Sequence, residues 1–315
     1  MAFQERIQKR VLTSAPVKGI IEQSKKVYVP GFGHFTLYQI WTPFLQQLRR
    51  TSMFERAAAI SFNVFMAIPP TLIFIFTLIP YLPISKQFIN EMFSLIRDIM
   101  PGRENHTAII EFLTDFLNQP RNELLSFGLL LALFFSSNAI MGVLRSFDKN
   151  YEGFIKVNGL QKRKTALKLT MIVFVLVFLC ILLLIAQGAV LKWLGLETEW
   201  LLKLIQNFRW IVILLLVFYS ISFIYRHGPS LIVKWPFITP GSVFATSLMV
   251  GATILVSFWV NNFSSYNKLY GSISAVFVVM SFIYINALIV LLGFELNVTI
   301  TSLQIKKEKE LAVIV

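Results

Sequence analysis

Apolar residues in this chain come in long unbroken runs, not in the short alternating or one-faced stripes of a soluble fold. Six such runs stand out: Ala57–Pro83, Leu124–Leu144, Thr170–Leu191, Phe208–Tyr225, Gly241–Val260 and Ser272–Leu292. Each approaches or exceeds the ~20 apolar residues needed to cross roughly 30 Å of hydrocarbon. A transmembrane barrel would need strands of about 10 alternating residues, and nothing alternates over that length. The pattern predicts an all-α polytopic membrane protein, a six-transmembrane-helix bundle with an amphipathic helical outer loop. A membrane domain over 53–300 then lies between a basic N-terminal region, 1–52, and a C-terminal tail, 301–315.

Two further segments are amphipathic. "FTLYQIWTPFLQQLRR" places Leu37, Trp41, Phe44, Leu45 and Leu48 at helical spacing and ends in Arg49 and Arg50. That suits a helix lying in the membrane interface with its arginines near anionic headgroups, or equally a helix packed beneath the bundle. Between the first two spans, residues 84–122 hold "QFINEMFSLIRDIM" and "TAIIEFLTDFLNQ", separated by Pro101-Gly102. This reads as a helical hairpin. "ITPGS" before the fifth span offers Thr239 as a cap with Pro240 at the first helical position.

Composition agrees with the runs. Of 315 residues, 56% are hydrophobic and only 14% charged, against about 25% charged in ordinary soluble domains. The net charge of +13 is distributed on one side. With the N-terminus inside, the cytoplasmic segments carry 21 Lys and Arg against 7 acids, and the three outer loops carry 8 against 8. The positive-inside rule therefore predicts that both termini are cytoplasmic. Nucleic acid is not expected as a partner, because the charge orders topology instead of forming a basic reading face. The single cysteine, Cys180, allows neither a disulfide nor a zinc set within the chain. No apolar leader precedes residue 35, so the first span is expected to direct insertion.

Polar groups inside spans are the candidate chemistry, since they are costly in lipid and tend to mark pathways. On the first span Arg56, Ala59, Asn63, Ala67 and Pro70 share a face, and on the second Asn138, Gly142 and Arg145 do. On the sixth, Ser274, Ser281, Leu288 and Glu295 share a heptad face, with Asn286, Gly293 and Asn297 roughly opposite. A helix polar on two sides belongs in the interior of a bundle. Arg56, Arg145 and Glu295 fall near the inner ends of their spans, which predicts an ion pair between Glu295 and one or both arginines. Asn63, Asn138 and Asn286 form an expected second layer ~10–13 Å deeper. A structural pair, or charges that snorkel to the headgroups, are the plainer alternatives. Pro69 and Pro70 lack amide hydrogens and are expected to kink or break the first span.

Four stretches carry a family resemblance: "FERAAAISFNVFMAIPP", "SSNAIMGVLRSFDKNYE", "WPFITPGSVFATSL" and "YGSISAVFVVMSFIYINALIVLLGFELN". Over roughly Phe54–Asn297 the chain resembles the YihY/virulence factor BrkB family of bacterial inner-membrane proteins, once labelled ribonuclease BN. The resemblance implies six spans in a bacterial inner membrane, with transport the usual suggestion. The chain departs from the family pattern in pairing Pro69 with Pro70, and in carrying Phe294 where a small residue is common.

The ribonuclease label finds no support in the residues. The three histidines, His34, His106 and His227, are isolated, and no metal-ligand spacing or phosphate loop is present. No enzymatic activity, metal or cofactor is expected. The leading expectation is a transporter or permease-like protein for a solute, ion or lipid, with membrane lipids as partners. The rival is a non-transporting scaffold or envelope-organisation factor. Either is compatible with a homo-oligomer.

Overall fold

The computed structural model describes residues 35–50, 52–78, 122–148, 151–193, 199–262 and 272–314, together with residues 22, 81, 110, 111 and 114. Among the described residues there are seven longer helices. They are α1 (Leu37–Arg50), α2 (Met53–Leu78), α3 (Asn122–Phe147), α4 (Gly159–Trp193), α5 (Glu199–His227), α6 (Pro240–Asn262) and α7 (Ser272–Ile314). Outside the helices, Phe154 and Leu231 form an isolated antiparallel bridge. Four described segments are long and apolar enough to cross a membrane: Met53–Ile75, Leu125–Phe147, Pro240–Trp259 and Val276–Ala312. The expected hairpin over 84–122 lies almost wholly outside the described residues.

The side chains explain why these helices need lipid. Leu130, Ile254, Leu255 and Phe258 are each more than 60% exposed. Large apolar side chains left this exposed are unfavourable in water. Helix α2 begins after Ser52, with Glu55 three residues on, in the pattern of a capping box. It stays helical through Pro69 and Pro70, so the proline pair does not break the span. Thr71 Oγ1 donates to the Ala67 carbonyl at 2.7 Å just beyond them.

The chain divides into two compact units. The first comprises Met1–Ala58, Arg145–Val157 and Ile221–Val315. Its centre is aromatic: Phe147 stacks on Phe294 with centroids 3.9 Å apart, and Tyr225, Tyr151, Phe154 and Trp235 surround Phe294. The large side chain at 294 is thus fully buried, and the close helix approach falls to its neighbour Gly293. A Cβ at Gly293 would lie 2.5 Å from the Gly241 carbonyl and from the Tyr225 hydroxyl. Without side chains at 241 and 293, α6 and α7 cross in near backbone contact.

Helix α6 starts as its sequence predicts. Thr239 Oγ1 accepts from the Ser242 amide at 3.0 Å, and Pro240 is the first helical residue. Helix α7 differs from expectation in length. Residues assigned to a tail continue it to Ile314, and 43 residues correspond to roughly 65 Å at 1.5 Å per residue. Only part of it is central: Leu291, Phe294, Glu295 and Ile300 are fully buried, whereas Val276 and Phe277 are about half exposed.

The second unit comprises Ala59–Leu144 and Asn158–Ser220. Met141 and Leu144 on α3 pack with Ala166 and Leu169 on α4. Asn63 on α2 lies against Gly142 on α3, where an added Cβ would meet its Nδ2 at 3.2 Å.

Candidate functional site

The first unit buries one carboxylate completely. Glu295, on α7, has no exposed side-chain surface, and Arg56 Nη1 donates to its Oε1 at 2.7 Å. The same oxygen accepts from the Tyr151 hydroxyl at 2.8 Å, and Oε2 accepts from Gln47 Nε2 at 3.4 Å. Four chain segments converge here: α1 through Gln47, the first turn of α2 through Arg56, the loop after α3 through Tyr151, and α7. Arg56 Nη2 also donates to the Ser146 carbonyl, in the last turn of α3. Its Nε is buried and has no hydrogen-bond partner among the described residues.

Each contact has a physical reason. A carboxylate taken out of water is costly unless it is paired and hydrogen-bonded. The guanidinium supplies the countercharge, and the two neutral donors occupy remaining lone pairs. Tyr151 is in turn altered by the carboxylate. Burial, with the Glu295 charge and hydrogen bond added, raises its hydroxyl well above the ordinary tyrosine value. Tyr151 therefore stays a donor at any physiological pH.

Of the two arginines the sequence offers, Arg56 holds Glu295. Arg145 is exposed, and among the described residues it forms no ion pair with Glu295. The asparagines bond elsewhere. Asn297 is buried and ties α6 to α7, its Oδ1 accepting from the Gly241 amide and its Nδ2 donating to Thr239 Oγ1, both at 2.9 Å. Asn63 and Asn286 donate to carbonyls one turn back on their own helices, those of Ala59 and Phe282. Asn138, in the second unit, accepts from Arg163 Nη1 at 2.6 Å, and that guanidinium also sits over the Phe134 ring.

Sequence reasoning missed Tyr151, Gln47 and Arg163. Tyr151 is 144 residues and Gln47 248 residues from Glu295, and neither lies in an apolar run. Arg163 sits in the basic stretch Lys162–Lys164, whose charge counts only toward the cytoplasmic excess.

Among the described residues no three His, Cys, Asp or Glu side chains converge as a metal site would require. His227 stacks on Phe223, with its Nδ1 3.3 Å from the Phe223 carbonyl.

The family model for Virulence factor BrkB matches residues 44–313. That range contains every group bonded to Glu295. The chain belongs to the BrkB family. Its relatives include the ribonuclease-like protein YfkH of Bacillus subtilis, 29% identical over 77% of this chain and 88% of that protein. A UPF0761 membrane protein of Xanthomonas axonopodis pv. citri is 24% identical over 88% of this chain and 63% of its own length. One from Xanthomonas oryzae pv. oryzae matches at 24% over 88% of this chain and 62% of its length. The chain thus spans less than two thirds of the Xanthomonas relatives. No solved structure matches it.

Proposed function

We propose that this BrkB-family membrane protein is a transporter or permease-like protein for a solute, ion or lipid. In this reading the Arg56–Glu295 pair forms part of a polar mouth at the cytoplasmic side. The observation that carries the reading is the completely buried Glu295, bonded by Arg56, Tyr151 and Gln47. A buried ion pair adds little net stability compared with apolar packing of the same volume, so stability alone does not account for it. Charged groups at membrane depth tend to mark pathways.

Six spans, both termini cytoplasmic and a bacterial inner membrane complete the proposal. Helices α4 and α5 add the third and fourth spans to the four segments already long and apolar enough, and the charge asymmetry supplies the orientation. We read the chain as non-enzymatic.

One observation favours the rival scaffold reading. Asn297, Asn63 and Asn286 are engaged in capping or in bonds to their own helices, as in a bundle packed for strength. Reconstitution into liposomes with a panel of ions and lipids separates the two. Flux that Glu295→Gln abolishes, at normal abundance and folding, supports the transporter. Flux that the substitution leaves intact removes the pair from the pathway, and absence of flux across the panel favours the scaffold.

A further inference from the structure

The second unit contains a cavity of about 700 Å³ between α2, α3 and α4, within the ~300–1,000 Å³ of small-molecule sites. Its walls are apolar, with Ala67, Leu133, Ala139 and Val175 among them. The polar wall atoms are already occupied. Thr71 Oγ1 bonds the Ala67 carbonyl and lies 3.4 Å from Ser136 Oγ, and Thr170 Oγ1 donates to the Ala166 carbonyl at 2.8 Å. Such a wall gives an ion or a sugar nothing to replace its water. It suits hydrocarbon.

What lies below the cavity on α4 indicates which hydrocarbon. Lys164, Lys168, Met171, Val175 and Phe178 follow one another at spacings of 4, 3, 4 and 3, which places them on one helix face. All five are exposed, and the last three line the cavity. The face is therefore cationic toward the N-terminus of α4 and apolar above. Lys168 to Phe178 spans roughly 15 Å at 1.5 Å per residue, about half of a 30 Å hydrocarbon core and hence one leaflet.

We propose that this face is a binding site for an anionic phospholipid of the leaflet on the α4 N-terminal side. An acyl chain occupies the cavity, and the phosphate sits by Lys164 and Lys168. The charge gradient selects a lipid over a neutral apolar molecule, because a long amine stem can lie along the helix while its head meets the phosphate. The site shares no residue with the Glu295 cluster and does not depend on transport, so either idea can fail alone.

The test is native mass spectrometry of the full chain released from nanodiscs of mixed dioleoyl phosphatidylglycerol and phosphatidylcholine. The wild type should retain phosphatidylglycerol preferentially. Lys164→Gln with Lys168→Gln should weaken that preference by about fivefold per lysine while keeping a bound lipid. Val175→Trp, which fills the cavity mouth from an exposed position, should lose retention of both lipids without a change in melting temperature. A chain-length series on the wild type needs no substitution: dioleoyl phosphatidylglycerol should displace bound lipid, and dihexanoyl phosphatidylglycerol or inorganic phosphate should not. Unchanged preference in the lysine variant, unchanged retention in a folded Val175→Trp, or equal displacement by the short chain or by phosphate would each overturn the proposal.

Discussion

Glu295 and Arg56 are 239 residues apart in sequence and 2.7 Å apart in space, joining the last helix to the first turn of α2. Because the carboxylate is fully buried, the contact cannot be treated as a surface pair. Breaking one partner leaves the other charged and desolvated, at a cost of about 3–5 kcal/mol. Glu295→Gln should lower the melting temperature in detergent, and adding Arg56→Gln should recover part of the loss. Near-neutral single substitutions, as for exposed pairs worth ~0–1 kcal/mol, would show that the pair opens to water in solution.

Tyr151 makes a separate prediction about pH. Its hydroxyl is raised by burial and by the Glu295 charge, so the folded protein holds this proton more tightly than the unfolded chain. The contribution to stability is fully present below the ordinary tyrosine value near ~10 and is lost as pH rises through the higher folded value. Wild type should therefore lose stability relative to Tyr151→Phe as pH climbs above about 10. Parallel denaturation curves for the two proteins from neutral to strongly alkaline pH would contradict the burial of this hydroxyl.

The crossing of α6 and α7 leaves no room for a methyl group. At Gly293 a Cβ would lie 2.5 Å from the Gly241 carbonyl and 2.8 Å from the Ala245 Cβ, one a backbone atom and the other a side chain too short to move aside. Gly293→Ala should therefore cost about 1–3 kcal/mol, the range for overpacking. Gly251→Ala is the control on the same α6, since nothing lies within 4 Å of its added Cβ. It should be neutral or slightly stabilising, because alanine is the better helix former.

Topology can be read directly. Reporter fusions after Val315 and within 84–122 are expected to report opposite sides of the membrane, with the C-terminal fusion cytoplasmic. A C-terminal fusion on the outer side would reverse the placement of Glu295 as well.

The non-enzymatic reading can be tested against RNA. Purified protein is expected to leave RNA intact with and without divalent metal ions. Metal-dependent cleavage that copurifies with the chain and disappears in His227→Ala would reverse the non-enzymatic reading.

The membrane character of this chain is legible from residue order alone, because length and apolarity are local properties. Ala57–Leu78 of the first run falls within α2, and each of the other five runs falls within one helix. The cap at Thr239-Pro240 is likewise short-range, so its residues sufficed to place the start of α6. Glu295 stood out for the same reason, as one charge in an apolar segment. Its surroundings did not. Choosing Arg56 over Arg145 depends on how helix ends meet, and a tyrosine in a loop or a glutamine on α1 carries no mark of a partner 144 or 248 residues away. Tertiary structure also decided that Asn297 caps a neighbouring helix and that Gly293, beside the bulky Phe294, takes the close crossing. Hydrogen bonds and steric contacts act over a few ångströms. Which distant groups come within that range is settled by packing the helices, not by any one of them.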